Sequence, residues 1–93
     1  MSHIPVLQKE VIEYLNPKSN ENFIDCTVGE GGHALAILEK IEPKGKVLGI
    51  DEQIRLKPKE RLILAEDKFR NLKDIAEQHK LKAISGILFD LGM

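Results

Sequence analysis

Asn22-Phe23-Ile24-Asp25-Cys26-Thr27-Val28-Gly29-Glu30-Gly31-Gly32-His33 is the stretch whose reading decides the fold. Its opening is apolar and ends in an acid, glycines crowd its second half, and apolar residues recur at helical spacing from Ala34 to Ile41. Roughly twenty residues past the middle glycine a second apolar run, Lys46 to Ile50, ends in another acid, Asp51. Strand, glycine turn, helix, then a second strand ending in an acid is the layout that seats a nucleotide-type cofactor on the carboxyl edge of a parallel sheet. Glycine is required because a β-carbon would block both the tight turn and the approach of backbone to ligand. The free amide N–H groups that open the helix then face whatever anionic group the ligand carries.

Working outward, His3 to Leu7 around Pro5 reads as an extended lead-in. Gln8 to Leu15 has helical spacing, with Val11, Ile12 and Leu15 on one side, and Asn16-Pro17 ends it. Phe23-Ile24 is the core of the first strand, and Gly31 to Ile41 is the first crossover helix, broken by Pro43-Lys44-Gly45. Lys46 to Ile50 is the second strand, Arg61 to Ala65 the third, and Asn71 to His79 a helix with Leu72, Ile75 and Ala76 inward. Ala83 to Leu91 is a long apolar run through Asp90, expected to be a buried fourth strand. The alternation predicts an α/β fold with a mainly parallel sheet of about four strands and flanking helices. One segment resists that pattern. Only nine residues, Pro58 among them, separate Asp51 from Arg61, whereas a parallel crossover takes a dozen or more and usually contains a helix. The expectation is a helix shrunk to about one turn before Pro58, with a differently paired third strand as the alternative.

The 93 residues suffice for one small domain, and with three Phe, one Tyr and no Trp its core must be Ile, Leu and Val. A net charge of −1 excludes a global pull toward nucleic acid or membrane. Residues 1–45 carry four Lys and seven acids, and residues 46–93 ten Lys and Arg against eight acids, a mild asymmetry read as solvated faces. The single cysteine, Cys26, cannot form an internal disulfide, which fits a reducing cytoplasm. No apolar run approaches a membrane span and no secretory signal pattern opens the chain, so a cytoplasmic protein is expected.

Gly29-Glu30-Gly31-Gly32-His33-Ala34 fits G-x-G-x-x-[G/A], a weak pattern alone and a stronger one between a strand and a helix. Asp51 at the second strand's tip can accept hydrogen bonds from both hydroxyls of a ribose, or can simply cap the next segment. Asp25 suits either the turn's own amides or the ammonium group of an amino-acid-like ligand. His33 opens the helix, where a histidine either caps and fills space or touches ligand. Cys26, with no base placed to activate it, reads as a small buried hydrophobe. Phe69 could flank an adenine or staple a helix start into the core. Asp90 ends the fourth strand at the same edge as Asp25 and Asp51, on the cofactor or substrate side. His3, His33 and His79 lack metal-ligand spacing, so no metal is expected.

His3-Ile-Pro-Val-Leu-Gln-Lys-Glu-Val-Ile-Glu-Tyr-Leu, then Asp25-Cys-Thr-Val-Gly-Glu-Gly-Gly-His, then Gly49-Ile-Asp51, then Gly86-Ile-Leu-Phe-Asp-Leu-Gly92, in that order over essentially the whole chain, resemble the start of the ribosomal RNA small-subunit methyltransferase H family. The resemblance implies a Rossmann-like, class I methyltransferase half-domain over 1–93, binding S-adenosyl-L-methionine for N4 methylation of a cytidine in 16S ribosomal RNA of the small ribosomal subunit. It further implies that Gly31, Gly32 and His33 contact the methionine end, that Asp51 holds the ribose, that Phe69 lies against the adenine, and that Asp90 sits near the reactive end. Two departures fall on the adenosine side: the family's full helix after Gly-Ile-Asp is shortened here, and Lys68 stands where the family usually has Asn before Phe. Family members also continue well past Asp-Leu-Gly.

Nothing in residues 1–93 looks equipped to hold an unstacked target base: there is no aromatic cluster and no concentrated basic groove. No catalytic residue is assigned, and catalysis by this chain alone is not expected. Two other readings stand beside the methyltransferase one: a dinucleotide (NAD-type) module, and a ligand-free structural fragment that self-associates. An open sheet ending at its fourth strand predicts a homodimer through that edge.

Overall fold

A computed structural model describes residues 8–29 and 31–89. The lead-in His3 to Leu7 and the candidate Asp90 lie outside the described residues. In chain order the elements are α1 (Gln8–Leu15), β1 (Asn22–Asp25), α2 (Gly32–Lys40), β2 (Val47–Asp51), β3 (Leu62–Glu66), a 3₁₀ turn (Phe69–Asn71), α3 (Leu72–Gln78) and β4 (Ile84–Leu88). The four strands form one sheet in the order β3-β2-β1-β4, with every pairing parallel. This is a Rossmann-like arrangement, an all-parallel sheet with helices packed on both faces. β1 sits inside, pairing Phe23 with Val47 on one flank and with Gly86 on the other.

Two-residue alternation divides the core. Phe23, Val47 and Leu62 turn to one face, where they meet Ala34, Ile37, Leu38 and Ile41 of the α2 region, with Ile12 and Leu15 of α1 packed against them. Ile24, Leu48 and Ile50 turn to the other, where Ile75 and Ala76 of α3 and Leu81 cover them. The helices exist because their apolar residues recur at three and four positions and can bury one stripe each on a sheet face. Asn16 ends α1 in the left-handed region (φ 46), with its amide on the Ile12 carbonyl at 2.8 Å. Lys80 does the same after α3 (φ 56), and Leu81 N reaches the Ala76 carbonyl at 2.9 Å. At the middle of β2, a Cβ on Gly49 would stand 2.7 Å from Val28 Cγ2, so only glycine lets the β1–α2 turn lie on the sheet.

Two expectations are corrected. The 52–61 connection holds no helical turn at all; it runs as an irregular strap whose Ile54 and Leu56 pack on the α2 face, and β3 still pairs parallel with β2 from Val47–Leu62 to Asp51–Glu66. Too few residues were left for both a helix and the return to the start of β3. The fourth strand is shorter than Ala83 to Leu91 and is not buried: Ile84 and Ile87 are 37% and 43% exposed, because β4 is an edge strand with β1 on one flank only. Among the described residues no helix is long and apolar enough to cross a membrane.

Candidate functional site

The carboxyl edge of the sheet gathers the tips of all four strands, and the turn after β1 is stitched across it. Cys26 N donates to the Leu88 carbonyl at 2.8 Å, on β4, and Val28 N to the Ile50 carbonyl at 3.0 Å, on β2. Gly29 N then donates to Asp51 Oδ2 at 2.9 Å, which ties the glycine turn to the acid at the tip of β2. Asp51 Oδ1 accepts from Gln53 N at 3.3 Å, so the carboxylate also holds its own following turn. An ionised carboxylate offers about four lone-pair sites, and two therefore remain for further donors.

Gly31 precedes α2 in the left-handed region at φ 92, and its carbonyl accepts the amide of Leu35 at 2.8 Å. A Cβ there would stand 2.4 Å from Leu56 Cδ1, so glycine is required by both conformation and contact. The strap thus lies directly against the turn. The amides that follow, at the start of α2, lack intrahelical acceptors and carry the positive end of the helix dipole. Gly32 is exposed, whereas His33 is 9% exposed and packed into the fold. Asp25 is 1% exposed and accepts from Thr27 N at 3.0 Å, which is the first of its two expected roles, the turn's own amide.

Cys26 is buried, and that burial, followed by the charge of Asp25, pushes its thiol up to about 11. It is a packing residue with no nucleophilic character at neutral pH. Phe69 is 49% exposed, so it is not a core staple; its ring meets that of Phe89 edge-to-face, with centroids 5.5 Å apart and planes at 85°. Phe89 and Leu56 are the residues at this edge that sequence reasoning did not single out. The alternation of Gln53-Ile54-Arg55-Leu56-Lys57 was the available signal for an extended, one-side-buried strap.

Of the expected set, Gly31, Gly32, His33 and Asp51 come together around the β1–α2 turn, and Phe69 stands at the same carboxyl edge beyond β3. Away from that turn, the described residues also line cavities. One of about 500 Å³ is lined by Leu35, Leu38, Glu39, Glu42 and Lys59 to Arg61, and one of about 430 Å³ lies between α1 and β4. Among the described residues no group of His, Cys, Asp and Glu could hold a metal ion.

The model of the MraW methylase family matches residues 1–93. The chain belongs to the MraW methylase family. A ribosomal RNA small subunit methyltransferase H from Halothermothrix orenii is 42% identical over 101 residues, covering all of this chain and 32% of the relative. Proteins of the same name from Clostridium botulinum strain Hall and Ureaplasma parvum are 39% and 37% identical over 99 residues, covering 98% of this chain and 32% of each relative. This MraW-family chain therefore spans about a third of the length of the curated relatives it matches. An alignment of 101 positions on a 93-residue chain leaves at least eight positions of the Halothermothrix relative without a counterpart here, in keeping with a connection that holds no helix.

Proposed function

We propose that residues 1–93 form the S-adenosyl-L-methionine-binding portion of a ribosomal RNA (cytidine-N4) methyltransferase, a cytoplasmic enzyme of the small ribosomal subunit's RNA, and that this portion is incomplete for catalysis by itself. The observation that carries the reading is the 2.9 Å bond from Gly29 N to Asp51 Oδ2. It brings the glycine turn and the β2 acid onto one spot at the carboxyl edge, where a ligand with an anionic end and a ribose has both needs met. The amides opening α2 at Gly32 and His33 would hold the methionine carboxylate, Asp51 the ribose hydroxyls and Phe69 the adenine, with Asp90 near the reactive end. The cofactor would supply an electrophilic methyl group; the chain's own part is to bind and orient it, which is where much of the rate of such a transfer originates. The names of the similar proteins support the RNA substrate.

Calorimetric titration with S-adenosylmethionine, S-adenosylhomocysteine and NAD tests the reading. The adenosyl ligands should bind and NAD should not. Asp51→Ala should weaken adenosylmethionine by about 1.5–3 kcal/mol, the cost of losing a charge-assisted acceptor. Asp51→Asn keeps one acceptor for Gly29 N and separates turn anchoring from ribose contact. An unchanged affinity in Asp51→Ala discards the ribose assignment. The exposed edge of β4, with Ile84 and Ile87 uncovered, favours a second reading in which two copies pair there. A monomer mass independent of concentration in sedimentation removes it.

A further inference from the structure

All four strands run the same way, so the connections that lead into them meet at the amino edge of the sheet, opposite the glycine turn. Those connections, residues 16–21, 42–46, 59–61 and 79–83, carry seven Lys and Arg against three Glu in a chain whose net charge is −1. The carboxyl edge has the reverse character: Asp25, Asp51 and Glu66 end three of the strands, and Asp67 follows. A five-residue strand separates the two edges by about 17 Å. The cations are scattered over four stretches of sequence, and only the parallel topology collects them.

Two of the lysines are positioned by one side chain. Asn22, which opens the inner strand β1, accepts from Lys46 N at 2.9 Å through Oδ1 and donates from Nδ2 to the Lys82 carbonyl at 2.7 Å. Lys46 leads into β2 and Lys82 into β4, on either side of β1, so their backbones stand about 10 Å apart. Lys44 N donates to Asn20 Oδ1 at 3.1 Å, which joins the 42–46 connection to the one that carries Lys18. Lys18, Lys44, Lys46, Lys80 and Lys82 are exposed, and among the described residues none has an acid within ion-pair distance. Of the three glutamates, Glu42 lies 3.8 Å from Arg61, Glu21 Oε1 accepts from Lys18 N at 2.8 Å, and Glu60 stands at the far flank, before β3.

Part of this charge serves the fold. α1, α2 and α3 all end at this edge, and cations near those ends offset their exposed carbonyls. That effect fades within a turn of the helix and does not reach Lys46 and Lys82, each of which stands beside a strand. Spaced near the Debye length of about 10 Å at 0.1 M salt, the lysines' fields add over the whole edge. Ser19, Asn20 and Pro43 are the exposed residues between them, with no ring; the exposed rings of Tyr14, Phe69 and Phe89 belong to α1 and the carboxyl edge. A protein partner asks for an apolar centre, whereas a phosphodiester backbone asks for lysines and small polar groups.

We propose that the amino edge is a docking surface for the phosphate backbone of RNA, with Lys46 and Lys82 at its centre, separate from the cofactor edge and indifferent to base sequence. This rests on the RNA-substrate reading above. The experiment follows a fluorescein-labelled RNA hairpin of arbitrary sequence by anisotropy on the 93-residue chain, from about 50 to about 200 mM KCl. Affinity should fall linearly with salt on logarithmic axes, and a hairpin of a second sequence should bind alike. Lys46→Gln with Lys82→Gln should weaken binding about tenfold at the lowest salt and flatten the slope by about two. Lys9→Gln with Lys73→Gln, which removes the same charge from helix starts at the opposite end, should stay within about twofold of the parent. Amide exchange in β1 and β2 confirms that both double variants are folded. Equal losses in the two pairs, no loss in either, or competition by polyglutamate as strong as by unlabelled RNA overturns this inference alone. A parent that binds S-adenosylhomocysteine but no RNA overturns it and leaves the cofactor reading standing; a parent that binds neither overturns both.

Discussion

The crossover from β1 to β2 and the crossover from β2 to β3 perform the same topological task by different means. The first contains α2, which sends Ala34, Ile37 and Leu38 into the core with no more than 7% exposure. The second has no helix and contributes only the half-buried Ile54 and Leu56. Return length explains why the second works. Travelling back along a five-residue strand takes about 17 Å, and ten extended residues can span about 33 Å. Parallel pairing therefore asks for reach, and the helix is needed for cover. Where cover is thin, an open cavity of about 500 Å³ lies between α2 and Lys59 to Arg61. Arg61 binds the two crossovers together there: its guanidinium donates to the Gly45 carbonyl at 2.8 Å and to the Leu38 carbonyl at 3.3 Å, with Glu42 at 3.8 Å.

The unequal weight of the two crossovers can be tested by mutation. Ile37→Ala should cost about 2–5 kcal/mol in urea unfolding, whereas Leu56→Ala in the strap should cost about 1. Equal losses would mean that the strap carries as much of the core as the helix. Arg61→Met removes the clamp and should cost about 1.5–3 kcal/mol, because it strips a charged donor from carbonyls near the end of α2. Arg61→Lys should recover only part of that, since a lone ammonium lacks the second nitrogen with which Arg61 also reaches the Leu38 carbonyl and Glu42. A smaller effect follows pH at the turn that begins the first crossover. The Cys26 thiol is raised in the folded chain from 9.0 to about 11, so its contribution is complete below pH 9 and is lost as pH climbs through 11. Stability should fall over that window in the parent, and the fall should be shallower in Cys26→Ala. Smallest, Lys80→Gly relieves a left-handed residue after α3 and should raise stability by about 0.5–1 kcal/mol.

Much of this was legible in the chain. The central strands and α2 could be read because their signals are local: a glycine-rich turn between an apolar run and a 3.6-residue period, with Asp51 at the next tip. β3 was placed within a residue, since Leu62 to Ala65 is apolar and follows a proline-containing break. The strap was misjudged because the general habit of crossovers outweighed the plain alternation of Ile54 and Leu56. The exposure of β4 was misjudged for a different reason: an apolar run looks alike at the centre and at the edge of a sheet, and only the strand order distinguishes them. At the candidate site, Gly31, Asp51 and Phe69 were visible as types in a pattern. The Phe69–Phe89 contact was not, because it depends on the return of β4 to the far side of β1.

That return also sets an order of events. β1 meets β2 after a short excursion, but its other flank waits for β4, and Asn22 is linked to the Lys82 carbonyl across sixty residues. Closing so long a loop costs more entropy than closing the first, and distant pairings of this kind slow folding. As the polypeptide leaves the ribosome, its innermost strand stays one-sided until Leu88 has emerged. The earliest structured species should therefore be a β1–α2–β2 nucleus with one raw flank, the form most in need of a chaperone.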